Sequence, residues 1–426
     1  MPDPAVISVL ARSFLAGDPH IDALQARAIR TLGRPWRWLR PLATRYAHKF
    51  AGPIRPRHRE VIRFLRDDAG FKTATAKYGR RISIAQWIVE PVRMEAKWDL
   101  PIIESAGALA EWLGLTPGEL DWFADLKDLN ANQKLQHYRY RIMEKRSGGV
   151  RLIESPKPRL KQLQRRILTG ILDRIPPHPA VHGFVKGRSI VTFAEPHTGK
   201  HVVLKLDLKD FFPGSPAARV QALFRTLGYP ETVADLLGGI CTNAAPASVL
   251  KQPLYMRPHL PQGAPTSPSL ASLMAYRLDC RLSGIAKTAG ATYTRYADDL
   301  AFSGNEDFSR VAERFSAHTA AIAIEEGFHV NHRKTRIKRQ GARQQLAGIV
   351  VNQKPNLRRK DLDLLEAILT NCIRHGPESQ NRASQPNFRA HLEGRVGFME
   401  MVSREKGKRL RELLQRIQWP DASSLQ

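Results

Sequence analysis

The chain has 426 residues, 42% of them apolar, which allows a sizeable core and excludes a chain that stays disordered. Lys and Arg number 67 against 40 Asp and Glu, a net charge of +27; such a surplus points to a polyanionic partner, and cations spread along the whole length fit nucleic acid better than a membrane surface. No run of about 18 apolar residues predicts a membrane span, MPDPAVISVLARSFLAGDPH lacks the basic start of a secretory signal, and Cys241, Cys280 and Cys372 read as buried thiols of a reducing compartment, not a disulfide frame or a zinc site.

Residues 1–95 read as a basic, mainly helical region. Between Thr31 and Arg66 ten Lys and Arg face a single acidic residue, Glu60, and Trp36, Trp38, Tyr46, Phe50 and Phe64 interleave with them. Two readings fit. Cations on phosphates with rings stacked on unpaired bases would put Arg34, Arg37, Arg40 and Arg45 on RNA. A helical bundle would take the rings into its apolar stripe and leave the charges solvated. Residues 96–136 read as a short helical adaptor: in LGLTPGELDWF, Thr116 and Glu119 form a capping box with Pro117 at the first helical position. Asp125–Asn132 is polar and reads as a connector.

HYRYRIMEK and VRLIESP around RSGG predict a hairpin. PRLKQLQRRILTGILDRI predicts an amphipathic helix with Leu160, Leu163, Ile167 and Ile171 on one face. HVVLKLDLKDFF opens as a strand that ends on Asp207. A helical stretch near 216–240 leads to a Pro-rich loop, LPQGAPTSP, and a helix, SLASLMAYRLDCRL. ATYTRYADDLAFSG reads as two short strands around Asp298 and Asp299. A helix over 308–327, a strand-like entry in GFHVNHRKTRI and a strand in QQLAGIVVN follow. From Asp361 to Trp419 the pattern is helical, broken by HGPESQNRASQPN. This order predicts an α+β fold, an antiparallel sheet with helices on one side.

The chemistry rests on three carboxylates. Neighbouring aspartates in a strand point to opposite faces, unless a tight turn aims both at one place, and the short apolar flanks of YADD favour that turn. Nucleotidyl transfer needs such a set: two Mg²⁺ ions about 3.5–4 Å apart, one activating a 3′-hydroxyl and one stabilising pyrophosphate, bridged by carboxylates. Adjacent aspartates alone are common in surface loops, so the case depends on their company.

YADD, LDLKDFF, LPQGAPTSP, HGFVKGRSI and GGVRLIESPKPRLKQLQRRIL, in their order along the chain, resemble bacterial reverse transcriptases of the retron type, from about Tyr138 to the C-terminus. The resemblance implies a right-hand polymerase of the α+β class with an antiparallel-sheet palm and an added helical N-terminal region. It divides the chain into 1–95, the adaptor 96–136, fingers 137–200, palm 201–352 (with 215–260 including a fingers/palm insertion) and a helical thumb 353–426. It implies that Asp207, Asp298 and Asp299 are catalytic and hold two Mg²⁺ ions, with Mn²⁺ as the alternative. Phe212 falls where the family places a steric gate against a 2′-hydroxyl. Gln262 resembles the residue that touches incoming nucleotide and template, with Gly263 allowing close backbone approach. Lys145 and Arg151 resemble fingers cations that grip the dNTP triphosphate, Arg146 being a substitute for Lys145, and Lys334 resembles a lysine that protonates pyrophosphate.

By the same resemblance Lys161, Arg165, Arg166, His197, Arg395 and Lys408 contact nucleic acid. His182 and His197 read as packing or RNA-binding groups, not as a catalytic pair. The implied partners are a structured RNA template and primer, its DNA product, dNTPs and a separate effector protein of antiphage defence, in the bacterial cytoplasm and away from membranes. Two signatures depart from the retron pattern. FAEPH carries Phe193 where the family has Asn, and Leu346-Ala347-Gly348 stands for Val-Thr-Gly. Both leave the polymerase motifs intact, but they do not carry over priming from a 2′-hydroxyl. Group II intron, diversity-generating and abortive-infection enzymes are the alternative branches, the intron type being disfavoured by an end at Gln426. A degenerate RNA-binding fold is opposed by the intact aspartates and Gln262.

Overall fold

The computed structural model describes every residue except 1–2, 17–18, 52–55, 57, 86–97, 127–135, 146–147 and 420–426. Parts of the N-terminal region and of the Asp125–Asn132 connector, and Arg146 in the RSGG turn, therefore lie outside the described residues. Helices α1 (Pro4–Leu15), α2 (Ile21–Leu32), α3 (Leu39–Lys49), α4 (His58–Asp67) and α5 (Ala69–Tyr78) form the helical start, followed by α6 (Ala106–Leu113) and α7 (Pro117–Ala124). The capping box forms: Glu119 N–H donates to Thr116 Oγ1 at 3.3 Å and Thr116 N–H to the Glu119 carboxylate at 2.8 Å.

The expected hairpin is β1 (Tyr138–Glu144) and β2 (Val150–Pro156), paired antiparallel. Then come α8 (Pro158–Gly170), α9 (Ile190–Ala194), β3 (Val202–Asp207), α10 (Ala217–Thr226), α11 (Glu231–Cys241), α12 (Pro253–Met256), α13 (Ser267–Met274) and α14 (Tyr276–Thr288). Strands β4 (Thr292–Tyr296) and β5 (Asp299–Gly304), helix α15 (Glu306–Glu325) and strands β6 (Arg336–Arg339), β7 (Gln345–Leu346) and β8 (Ile349–Val350) follow. The chain closes with α16 (Arg359–His375), α17 (Phe388–Val402) and α18 (Arg404–Gln415).

The fold divides into two compact units: Met1–His178 with Lys209–Leu278 and Ile324–Phe328, and Pro179–Leu208 with Asp279–Ala323 and His329–Gln426. In the first, Leu10, Phe14, Leu24, Leu42, Tyr46 and Phe71 form the core of α1–α5, each full burial contributing about 1.5–3 kcal/mol. Arg27, with no exposed side-chain surface, ties this bundle to α11 through Glu231 at 3.0 Å. Burial lowers the Arg27 pKa, and the Glu231 charge opposes that shift.

The second unit holds a four-stranded sheet in the order β4-β5-β3-β6, all pairs antiparallel. Alternation puts Val203, Lys205 and Asp207 on one face and Val202, Leu204 and Leu206 on the other. Phe193 and Ala194 of α9 pack with Val203 and Ala301 on the first face. On the opposite face, the Phe302 ring lies 5.0 Å from Phe315 of α15. Both faces are thus covered, which corrects the expectation of helices on one side; a strand as continuously apolar as VVLKL buries both its faces.

QQLAGIVVN is also corrected, from one strand to the tiny hairpin β7–β8, because Ala347 (φ 45) and Gly348 (φ 90) both take the left-handed turn conformation. SLASLMAYRLDCRL is two helices, α13 and α14; at the break the Met274 carbonyl accepts from buried Arg219 at 2.9 Å. Cys241 and Cys372 are buried free thiols, whereas Cys280 is exposed. Among the described residues no helix is long and apolar enough to cross a membrane.

Candidate active site

Within the second unit, Asp207 ends β3 directly opposite Asp299 of β5, and directly opposed residues hold their Cβ atoms about 4.5–5.5 Å apart. Tyr296 pairs with Asp299, so Ala297 and Asp298 form a two-residue hairpin loop. The tight turn that the flanks of YADD predict therefore exists. Ala297 has φ 54, a conformation that costs a non-glycine residue about 1–2 kcal/mol.

Three contacts hold the strained turn. Leu208 N–H donates to the Asp298 carbonyl at 2.8 Å, joining the turn to the end of β3. A Cβ on Gly183 would stand 2.5 Å from the Ala297 nitrogen, so only glycine allows the HGFVKG segment to pass behind it. Arg295 Nη1 donates to the Ala297 carbonyl at 3.1 Å. Arg295 is itself fully buried and doubly bonded to equally buried Asp279, at 2.8 and 2.7 Å. Burial opposes the Arg295 charge, but Asp279 outweighs it and raises the pKa.

The carboxylates repel one another. Burial, then the charges of Asp299 and Asp207, push Asp298 up to about 6. Burial also raises Asp299, against the pull of Lys205. Lys334 Nζ lies 2.9 Å from Asp207 and Lys205 Nζ 2.9 Å from Asp299. Burial works against the Lys334 charge, but its hydrogen bond to Asp207 and the neighbouring carboxylates raise its pKa. Among the described residues no cluster of three or more acidic, His or Cys side chains is set as a metal cage. The donor set nevertheless suits a hard divalent cation: oxygen ligands only, on a common strand end, in mutual repulsion that such an ion relieves. The ammonium groups are 29% and 47% exposed on flexible stems, so an ion can displace them.

The first unit carries the other expected residues. Exposed Arg151 and half-buried Lys145 flank the β1–β2 loop, and Lys145 reaches Asp210 at 3.3 Å. Phe212 is half-buried against Phe211, which stacks on Phe328. The Gln262 carbonyl accepts from Glu154 N–H at 2.8 Å, and a Cβ on Gly263 (φ 137) would come within 2.7 Å of the Glu154 carbonyl. Buried Glu154 fixes this approach: its carboxylate takes Asn243 at 2.7 Å and His259 at 2.9 Å.

The expected nucleic-acid contacts divide. Lys161, Arg165 and Lys408 are exposed and Arg395 is half-buried. Arg34 and Arg37 are exposed in the loop before α3. Arg40 pairs with Asp22 at 2.7 Å, Arg45 grips Asp68 at 2.6 and 2.8 Å, and Arg166 lies over Trp112. His197 is corrected. It is wholly buried between Ser303 (2.6 Å) and Thr294 (2.7 Å), and burial, then His182, lowers its pKa to about 3, so it braces the sheet and does not reach RNA. His182 bonds Thr192 at 2.9 Å, in line with a packing role.

Lys205, Arg295, Asp279, Glu154 and His259 escaped the sequence reading. Lys205 had a signal: two residues before Asp207 in a strand, it must share that face. Arg295, a lone charge in a buried strand, calls for a buried counter-ion, but nothing local names Asp279.

Residues 143–392 match the family model described as reverse transcriptase (RNA-dependent DNA polymerase). The chain is 42% identical over 320 residues to the Retron Mx65 reverse transcriptase of Myxococcus xanthus, covering 74% of this chain and 72% of that protein. It is 38% identical over 325 residues to the Retron Mx162 enzyme of the same organism (72% and 65% covered), and 36% identical over 220 residues to the Retron Ec86 enzyme of Escherichia coli (51% and 64%). The chain belongs to the retron-type reverse transcriptases: it is an RNA-directed DNA polymerase with the right-hand polymerase fold.

Proposed function

We propose that this polymerase copies a dedicated structured RNA into DNA with Asp207, Asp298 and Asp299 as ligands of two divalent ions, Mg²⁺ before Mn²⁺. The supporting observation is the register that sets Asp207 opposite Asp299 while Asp298 occupies the turn bonded to the end of β3. When bound, the ions would lower the pKa of the primer hydroxyl and offset charge on the leaving pyrophosphate. The chain's own groups do the rest. Lys334 holds a proton for the leaving group. Lys145 and Arg151 bind the triphosphate, Arg151 with its fork and Lys145 as a point charge. Phe212 excludes a 2′-hydroxyl, and Gln262 contacts nucleotide and template.

In this reading 137–200 are fingers, 201–352 palm and 353–426 thumb. Lys161, Arg165, Arg166, Arg395 and Lys408 track nucleic-acid backbone, which positions the template without reading its sequence. The setting is antiphage defence in the bacterial cytoplasm, with a separate effector. The test is primer extension with purified protein, Mg²⁺ and dNTPs. Asp298→Asn and Asp299→Asn must abolish DNA synthesis, and equal product from either variant refutes the ligand assignment. Phe212→Ala should raise NTP incorporation relative to dNTP.

A further inference from the structure

The N-terminal bundle divides the aromatics that the sequence leaves undecided. Tyr46 and Phe64 are buried in the core, and Phe50 packs against them. Trp36 and Trp38 also pack against that core, and their outer sides line a cavity of about 690 Å³ between the α2–α3 loop and α5, a size suited to a small organic ligand. Tyr78 adds a third ring, 5.4 Å from Trp36. Arg34, Arg37, Lys77 and Arg81 complete a wall that contains no acidic side chain, and none of the four has a carboxylate within ion-pair range among the described residues. Arg34 and Lys77 lie over the rings of Trp36 and Tyr78 at 5.5 and 5.4 Å. The indole N–H groups of both tryptophans are buried, with no acceptor among the described residues.

We propose that this cavity is a second nucleic-acid site, separate from the polymerase centre, that holds an unpaired nucleotide of single-stranded RNA. Rings stack on the base and cations take its phosphates. An acidic peptide would use the cations and leave the three rings idle. A free nucleotide shares the chemistry, but α4 of the same bundle adds exposed Arg59, Arg63 and Arg66, a cation surplus that suits a chain of phosphates.

The test uses the full chain and a dye-labelled, unstructured RNA ten nucleotides long, followed by fluorescence anisotropy at several salt concentrations. Lys77→Ala with Arg81→Ala should weaken binding about tenfold and flatten the dependence of log affinity on log salt by about 1.4, since each lost phosphate contact removes about 0.7. Trp36→Ala should also weaken binding, whereas Trp38→Phe, which keeps a ring, should retain most of it. Ultraviolet cross-linking should place RNA on the peptide holding Trp36 and Trp38. An unchanged salt slope together with cross-links elsewhere would overturn the proposal, as would displacement of the RNA by oligoglutamate or, at equal nucleotide concentration, by AMP. Equal thermal midpoints exclude misfolding as the cause. Binding must survive Asp298→Asn, so failure here and failure of the metal-ligand reading are told apart.

Discussion

The two faces of the four-stranded sheet carry ion pairs of opposite character. On one, Arg295 and Asp279 are both completely buried and share two hydrogen bonds. On the other, Lys334 and Lys205 reach Asp207 and Asp299 from partly solvated positions. Water decides the difference. A pair sealed from solvent cannot be parted without stranding a charge, so it serves as a rivet beneath the Ala297–Asp298 turn. A pair open to solvent contributes less to stability and exchanges partners readily, which suits the ligand role proposed for these carboxylates.

The largest effect should come from the exchangeable side. Asp299→Asn is expected to cut primer extension by about 10²–10³-fold or more while leaving the urea midpoint within about 0.5 kcal/mol of the parent. Next, Arg295→Met should destabilise the chain by about 3–5 kcal/mol in urea unfolding, since Asp279 is left charged and dry, and adding Asp279→Leu should restore much of that loss. Activity should stay low in the repaired double variant, because the Ala297 carbonyl has lost its donor; full recovery of copying would show that Arg295 does not position the turn. Gly183→Ala should cost about 1–3 kcal/mol through the clash with Ala297. A small change in stability, under about 1 kcal/mol, is expected for Lys334→Met, with product formation slowed about 10²-fold. A large shift in its melting curve would place Lys334 with the rivet and not with the exchangeable pairs.

What the sequence reveals follows the range of the interactions concerned. The Thr116–Glu119 cap, the β1–β2 hairpin and the YADD turn are written in a few consecutive residues, and all form as read. Lys205 was legible by alternation alone. The Arg295–Asp279 pair spans a helix and a strand, and only packing brings its members together. His197 misleads for a related reason: its imidazole suits RNA and a buried hydroxyl pair equally, and only the sheet above it decides. Tyr46 and Phe64 enter the core from helix faces, whereas Trp36 and Trp38 sit in the α2–α3 loop, between core and cavity, where helical periodicity says nothing.

The lysines beside Asp207 and Asp299 bear on assembly. Three acidic groups crowded at a strand end would ordinarily make such a protein dependent on dissolved cations to reach its native shape. Ammonium groups supplied in cis remove that dependence, so the chain should mature normally in a chelator and refold without Mg²⁺.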